Sequence, residues 1–267
     1  MKRFSGSDHE HLIRLLVTFE HHDQFHLVFH WADGNLLEFW QEPRYWPENL
    51  DRGNPEVARW MAKQCLGLAK ALQTIQTSVV KQQDGQSHHS EFNKVYGRHG
   101  NVKPENILWF SDDGLGARHG QFGVLKISDF GMADFRGSQS AQDAASHGTA
   151  MSRTYRAPEY DVNGVLSPRC DIWSFGCILL EFVVWYVRGG NGVTGFSDHR
   201  ARDSTYSIRE DNFYNHFLHE REVNRPGKWA KEKMSVSDVS SRICPGTFKL
   251  TMCSTGQLIV TFSPTGV

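Results

Sequence analysis

Two short segments of this chain contain the residues whose types and spacing could do chemistry. Residues 99–106 read His-Gly-Asn-Val-Lys-Pro-Glu-Asn, and residues 129–131 read Asp-Phe-Gly after two strand-like stretches. The first has the pattern of a loop that catalyses phosphoryl transfer, and the second that of the metal-binding turn that works with such a loop. The position where a carboxylate base is expected holds the neutral amide of Asn101. The pattern therefore predicts chemistry on ATP with a deficit at the step that handles the substrate's proton.

Composition limits the classes of protein that fit. The chain has 267 residues, 39% hydrophobic and 22% charged, enough for one large globular domain or two small ones. The formal net charge of −1 gives no field that would favour nucleic acid or an anionic membrane. The longest apolar run, residues 176–187, is shorter than a membrane span, and the first eight residues have no signal-peptide core. We therefore expect neither a nucleic-acid nor a membrane partner.

The cysteines and histidines predict no metal site of their own. The five cysteines are odd in number, and none forms a Cys-x-x-Cys pair. Reduced thiols in a cytoplasmic or nuclear, non-secreted protein are the simplest interpretation. The doublets His21-His22 and His88-His89 are interpreted as surface residues, because adjacent side chains point in different directions on a strand or a helix.

Hydrophobic periodicity predicts an order of strands and helices. Residues 12–19 and 25–29 read as two strands joined by a turn, and residues 36–40 begin a short helix. From Pro55, apolar residues recur at helical spacing over about five turns. Residues 82–98 are polar and irregular, as in a surface insertion. The later elements are short strands at 107–110 and 123–128 and an apolar, buried helix at 171–187.

With its motifs in this order, the chain resembles a eukaryotic protein kinase domain, specifically the larger C-terminal lobe. Four motifs within roughly residues 10–188 carry the resemblance: residues 99–106, residues 129–131, Arg-Thr-Tyr-Arg-Ala-Pro-Glu at 153–159 and Asp-Ile-Trp-Ser-Phe-Gly at 171–176. The Lys-Pro-Glu-Asn tetrapeptide is similar to that of Ser/Thr-specific members. The resemblance implies an α+β, protein kinase-like fold with a mainly α-helical C-lobe and a small remnant of the N-lobe sheet.

The resemblance also implies how the chain is organised. Residues 1–30 would be a remnant of the N-lobe, with two strands and the hinge, and residues 31–190 would be the C-lobe. No Gly-rich phosphate loop and no lysine-bearing strand precede these two strands, so we expect a truncated N-lobe and weak nucleotide binding. Residues 191–267 diverge from the family and are partly irregular, with a β-hairpin pattern at 247–252 and 258–262.

In the family's arrangement, the two chemical motifs would act on ATP and Mg²⁺. Asp129 would give a carboxylate oxygen to Mg²⁺, and Asn106 would give an amide oxygen. Lys103 would lie beside the transferred phosphoryl group, where its charge offsets the charge on the phosphate oxygens. The simpler alternatives are a turn carboxylate for Asp129 and a surface lysine for Lys103.

The adenine end of the nucleotide would lie at the end of the second strand. Phe29 would stand at the back of the adenine pocket, and the backbone of His30, Trp31 and Ala32 would hydrogen-bond the adenine edge.

Other motif residues are expected to be scaffolding. His99 and Phe130 would pack against each other in the core. Asp171 would hold the catalytic loop through backbone N–H groups. Glu159 would pair with a buried arginine late in the domain, whose position the sequence does not identify.

Asn101, together with the missing Gly-rich loop and strand lysine, decides the expected activity, whereas Gly100 bears on regulation and not on activity. Asn101 replaces the Asp that accepts the proton of the substrate hydroxyl, and a neutral amide is not a useful base. General-base assistance is worth about 10²- to 10⁴-fold in rate. The alternative is that the amide still orients the hydroxyl well enough for slow transfer. Gly100 replaces the Arg that pairs with a phosphate in the activation segment, so that clamp is lacking.

Two functions follow from the resemblance. The first is a protein kinase-like domain of the Ser/Thr phosphotransferase family that is inactive or severely impaired, and that serves as a scaffold or remains as a relic. The alternative is an active Ser/Thr protein kinase completed by sequence outside this chain. Both imply ATP, Mg²⁺ and a protein substrate or protein partner.

Overall fold

The fold was obtained as a computed structural model of the chain. It describes residues 9–46, 55–77, 95–112, 120, 122–137, 152–164, 167–204, 209–218, 228–243, 248–252 and 258–262. Most of the predicted polar insertion at 82–98, including His88-His89, lies outside the described residues.

The predicted N-terminal hairpin is present. β1 (Leu15–His21) pairs antiparallel with β2 (Gln24–Phe29) across a two-residue turn. β1 begins at Leu15 and not at residue 12, because the residues before it join another strand. There, the Ile13 N–H donates to the Ile127 carbonyl at 2.9 Å. This contact attaches the hairpin to the rest of the fold.

Two helices predicted in the first half of the chain are confirmed. α1 (Leu36–Gln41) begins at a capping box, in which the Asn35 and Glu38 side chains each accept the other's backbone N–H at 3.0 Å. α2 (Pro55–Gln76) has 22 residues, and its buried positions follow the apolar spacing of the sequence.

Short antiparallel sheets frame the loop at residues 99–106. One sheet has the order β3 (Gly34–Asn35), β5 (Ile107–Phe110) and β6 (Val124–Ile127), which confirms the two strands predicted here. β4 (Val95–Arg98) pairs with β7 (Asp134–Gly137). The prediction of an irregular stretch through residue 98 is therefore wrong at its end. The reason is that β4 is stabilised by a partner distant in sequence.

The central helix of the second half is α4 (Arg169–Arg202). It has 34 residues, more than the predicted 171–187, and it bends at Gly189, where φ is 67°. By length and composition α4 could cross a membrane, but 72% of its most apolar window is buried inside the fold. Trp185 of α4 lies 5.5 Å from the Phe39 ring of α1. The apolar character is therefore that of the predicted core helix.

Two hairpins and a helix follow α4. β8 (Tyr214–Leu218) pairs with β9 (Lys228–Glu232), and α5 (Met234–Ile243) comes directly after. β10 (Phe248–Met252) and β11 (Leu258–Phe262) form the predicted terminal hairpin. The pattern of alternating residues was therefore sufficient to identify this hairpin.

The described cysteines are free thiols. They are Cys65, Cys170 and Cys177. Burial raises the pKa of the Cys65 thiol to about 12 and raises the pKa values of Cys170 and Cys177 well above their usual range. Such thiols stay protonated and unreactive near neutral pH.

Candidate functional site

The loop at residues 99–106 is anchored to the start of α4. The Asp171 carboxylate accepts hydrogen bonds from the backbone N–H groups of His99 at 2.7 Å and Gly100 at 2.8 Å. Asp171 is only 1% exposed. Burial raises the pKa of its carboxyl group, and the nearby His99 ring and the two N–H donors oppose that rise. The expected scaffolding role of Asp171 is confirmed.

The two motifs predicted to work together are joined in the structure. The His99 ring lies 5.2 Å from the Phe130 ring, and its Nε2 donates to the Ser128 carbonyl at 2.8 Å. The backbone N–H and the hydroxyl of Ser128 both donate to the Asn106 carbonyl, at 2.9 and 3.0 Å. The end of the loop therefore lies beside the residue that precedes Asp129.

Asn106 also holds the loop closed on itself. Its Nδ2 donates to the Asn101 carbonyl at 2.9 Å, and the residue is 7% exposed. This bond leaves Oδ1 as the atom of Asn106 available to a cation, since Oδ1 accepts no hydrogen bond from the described residues. Asn101 is partly buried, and its N–H donates to His99 Nδ1 at 3.3 Å. Lys103 is partly buried at the start of the turn Pro104–Asn106 and makes no capping bond.

Asp129 is the exposed member of the site. It has the left-handed backbone conformation, with φ 59° and ψ 67°, and its Oδ1 accepts the Gly131 N–H at 3.3 Å. Asp129 and Asn106 together offer a carboxylate and an amide oxygen, the hard donors that Mg²⁺ prefers. Among the described residues, no group of three or more His, Cys, Asp or Glu could hold a metal ion by itself. The donor set therefore fits a cation that takes its remaining ligands from phosphate and water.

Residues 29–32 form the stretch predicted to contact adenine. Phe29 ends β2 and packs against the core, whereas Trp31 is 96% exposed. His30 and Ala32 are partly buried. The hydrogen bonds of the described residues do not join this stretch directly to residues 99–106.

The sequence interpretation missed a buried network beneath residues 153–159. The Tyr155 hydroxyl donates to Glu181 at 2.8 Å, and Arg200 donates to Glu181 and to Asp211, each at 2.7 Å. Glu159, predicted to pair with a late buried arginine, is not the partner of Arg200. Burial raises the pKa of the Glu159 carboxyl, with Arg169 opposing the rise. A signal for the network was present: a glutamate inside an apolar run needs a buried partner.

A glycine pattern in α4 has the spacing of a phosphate-binding loop but lies in a helix. Residues 190–195 read Gly-Asn-Gly-Val-Thr-Gly. A Cβ atom at Gly190 would lie 2.4 Å from the Trp40 carbonyl and 2.8 Å from the Trp46 indole nitrogen. Gly190 is therefore required for close packing and not for contact with phosphate.

A cavity of about 460 Å³ opens beside the first half of α2. Trp60, Gln64, Phe122 and Val124 contribute to its wall, with Arg59, Lys63, Glu10 and Glu56 among the charged lining residues. None of the residues predicted to bind nucleotide or metal lines this cavity.

Comparison with known proteins decides the family. A family model described as "Protein kinase domain" matches residues 88–244, more than half of the chain. The chain belongs to the protein kinase family. The resemblance found in the motifs and the protein kinase-like fold class are thereby confirmed.

Curated relatives are themselves kinases. The chain is 28% identical to human dual specificity protein kinase CLK4 over 196 residues, covering 72% of this chain and 34% of that protein. It is 28% identical to the Drosophila melanogaster serine/threonine-protein kinase Doa over 205 residues, covering 73% and 20%. A probable receptor-like protein kinase of Arabidopsis thaliana is 32% identical over 179 residues, covering 66% and 30%. The chain thus spans a fifth to a third of the length of these relatives.

Similarity to solved structures covers part of the chain. A chain of the yeast RNA Pol II CTD kinase CTDK-1 complex is 20% identical, with a TM-score of 0.45, covering 68% of this chain and 47% of that chain.

Proposed function

We propose that this chain is a Ser/Thr-type protein kinase-like domain whose phosphotransferase activity is absent or severely impaired. The observation that carries the proposal is Asn101, a neutral side chain in a loop that is otherwise anchored as a catalytic loop. The kinase-like part is proposed to be the C-lobe at 31–190, with an N-lobe remnant at 1–30 and a divergent segment at 191–267.

Because the loop is anchored, the loss of activity is attributed to the missing base and not to a collapse of the site. Asp171 and Asn106 hold the backbone of residues 99–101 through bonds of 2.7–2.9 Å. The side chain at 101 is therefore displayed from a fixed backbone, and its chemistry decides the outcome. An amide does not accept the proton of a hydroxyl, and loss of a general base costs about 3–5 kcal/mol of barrier.

We propose that the same site binds ATP with Mg²⁺, weakly. Asp129 and Asn106 Oδ1 would hold the cation, which supplies positive charge to the phosphates. Lys103 would offset the charge of the transferred group, and the backbone of residues 30–32, behind Phe29, would contact the adenine. A protein substrate or a protein partner is the proposed second ligand. Free, buried thiols suit a reducing compartment, the cytoplasm or the nucleus.

The second candidate is an active Ser/Thr kinase completed by sequence outside this chain. Two observations favour it. The loop and the metal turn are fully joined through Ser128 and Asn106. The hairpin β1–β2 also exposes large apolar side chains, which further protein could cover: Leu16, Val17, Phe19, Phe25 and Leu27 are each at least 42% exposed.

The test is a phosphoryl-transfer assay with radiolabelled ATP, Mg²⁺ and a generic basic protein substrate. The proteins compared are the native chain, Asn101→Asp, Asp129→Ala, and Asn101→Asp combined with Asp129→Ala as the matched control. The proposal expects transfer by the native chain at or near background, a rate for Asn101→Asp at least 100-fold above it, and loss of that gain when Asp129→Ala is added. Transfer by the native chain that is lost in Asp129→Ala alone supports the active kinase instead.

Binding is tested separately from transfer. A thermal-shift titration with Mg²⁺ and ATP is expected to raise Tm only at millimolar nucleotide. A clear rise at micromolar ATP contradicts weak binding, and no rise at any concentration contradicts the nucleotide site.

A further inference from the structure

Gly100 stands where the family has an arginine that pairs with a phosphate in the activation segment. Another contact is therefore needed to hold the segment that follows residues 129–131. The segment in question is residues 152–161, called here the closing segment. Residues 209–214, called the strap, lie against it. We infer that the strap holds the closing segment in one conformation without phosphorylation. The inference rests on the proposed kinase-like function only for the role that it gives to the closing segment. The test itself measures the conformation of that segment and does not depend on activity.

The first attachment is at the N-terminal end of the closing segment. Arg153 Nη1 donates to Glu210 Oε1 at 3.1 Å. The arginine side chain is 75% exposed and the glutamate 28%. An ion pair this open to water contributes little stability by itself, so the buried contacts of the strap carry the inference.

The second attachment is buried and passes through α4. Tyr155 donates to Glu181, and Arg200 bridges Glu181 to Asp211 of the strap with two bonds of 2.7 Å. Arg200 is 1% exposed. A chain of charge-assisted hydrogen bonds therefore connects the closing segment to the strap. Glu181 and Arg200 are buried, and only the Asp211 end, which is 30% exposed, reaches water.

Aromatic rings complete this second attachment. The Arg200 guanidinium lies 4.1 Å from the ring centroid of Phe213 and 4.2 Å from that of Phe196. The Tyr155 ring lies 6.1 Å from Phe213. Phe213 of the strap thus contacts both Arg200 and Tyr155, the two residues that donate hydrogen bonds to Glu181.

The third attachment is at the C-terminal end of the closing segment. The Tyr214 hydroxyl donates to Asp161 Oδ2 at 2.5 Å, and Arg156 donates to Asp161 Oδ1 at 2.9 Å. One carboxylate therefore receives a bond from the strap and a bond from within the closing segment.

The strap is itself fixed from behind. Lys233 Nζ donates to the Glu210 carbonyl at 2.7 Å and to the Arg200 carbonyl at 2.8 Å, and Lys233 is 1% exposed. Its cation thus joins the strap to α4. The anions of the strap are side chains, present in every molecule, whereas a phosphate is present only after modification. Order in the closing segment would therefore be constitutive.

The experiment is hydrogen exchange with mass spectrometry on the full chain, with and without phosphatase treatment. The amides of Arg156 and Tyr160 report on the closing segment, since they donate to Arg153 and Ala157. The disrupting variant is Glu210→Gln with Asp211→Asn, which removes the negative charges of both strap carboxylates at nearly constant volume. The control is Asp198→Asn on α4, whose side chain is 62% exposed and whose ion pair is with Arg202.

The inference expects at least tenfold faster exchange at residues 152–161 in the double variant, no change in Asp198→Asn, and no effect of phosphatase on the native chain. Unchanged exchange in the double variant, or loosening of the native segment by phosphatase, overturns it. If far-UV circular dichroism shows that the double variant is unfolded, Tyr214→Phe is the deciding variant. Faster exchange confined to the closing segment supports the role of the strap, and no change refutes it. Activity of the native chain would overturn the proposed function and leave this result standing.

Discussion

The Asp171 carboxylate lies 2.7 Å from the backbone nitrogen of His99, although the two residues are 72 positions apart in sequence. The same carboxylate accepts the next N–H, that of Gly100. Gly100 has a φ of 81°, a conformation that glycine adopts readily. The backbone at the start of the 99–106 loop is therefore held by the first turn of the core helix.

Replacing Asp171 should destabilise the fold in proportion to the acceptors that are lost. Asp171→Ala orphans two buried N–H groups, each of which costs about 1–3 kcal/mol, so we expect a loss of about 2–5 kcal/mol. Asp171→Asn keeps one acceptor oxygen and should lose about half as much. Urea unfolding followed by circular dichroism measures both. Equal losses in the two variants would show that the hydrogen bonds are not the cause.

Two glycines with positive φ offer a matched pair for testing packing at the β5–β6 connection. Gly123 has φ 74°, and a Cβ there would lie 2.2 Å from the Phe110 carbonyl oxygen. Gly164 has φ 67° with nothing within 4 Å of such an atom. Gly164→Ala should therefore cost about 1 kcal/mol, from backbone strain alone. Gly123→Ala should cost at least about 2 kcal/mol more, since backbone must move. Similar midpoints of thermal unfolding for the two variants would contradict this geometry.

The parts of the fold that repeat a local pattern could be predicted from the sequence. The apolar spacing from Pro55 identified α2. Two apolar runs on either side of a turn identified the hairpin β1–β2, and alternation of residue types identified β10–β11, because each of these patterns lies in residues that are neighbours in the sequence. The motif residues also indicated the scaffold correctly, since the Asp171 contact and the His99–Phe130 packing are both observed.

The parts that depend on distant partners could not be predicted. β4 is a strand because β7 pairs with it, and nothing in residues 95–98 encodes that partner. The role of Arg200 depends on Glu181, which lies before the bend of α4 at Gly189, and on Asp211, which lies beyond the end of α4. The roles assigned to Asn101, Lys103, Asn106 and Asp129 stay predictions, because such roles are tested by measuring ligand binding and reaction rates.

Removing Arg200 and Glu181 together should cost less stability than the sum of the two single losses. The two side chains are 1% and 3% exposed. Arg200→Met strands the Glu181 carboxylate in the core, and we expect a loss of about 3–5 kcal/mol. The double variant Arg200→Met with Glu181→Met should lose less than the sum of the single losses by at least about 1 kcal/mol. Denaturant unfolding of the four proteins completes this cycle, and additive losses would contradict a direct interaction.

Glu232 should make the stability of the fold depend on pH near neutrality. Burial at the end of β9 raises the pKa of its carboxyl to about 7, although Ser237 donates to it at 3.4 Å and opposes the rise. The unfolded chain loses this proton near pH 4.5, whereas the folded chain keeps it until about pH 7. The contribution of Glu232 to the free energy of unfolding is therefore fully present below pH 4.5. It decreases as the pH rises from 4.5 to about 7 and is constant above that.

The variant Glu232→Gln isolates this contribution, because every other titrating group is shared with the native chain. Between pH 5 and pH 7.5, we expect the free energy of unfolding of the variant to rise by about 1–2 kcal/mol relative to that of the native chain. This is less than the full pKa shift implies, because the carboxyl is partly open to water. Urea midpoints at half-unit steps of pH measure the difference. Asp198→Asn, a change at an exposed carboxylate, should keep a constant difference from the native chain over the same range. A constant difference for Glu232→Gln as well would show that the Glu232 carboxyl is already ionised in the fold at pH 5.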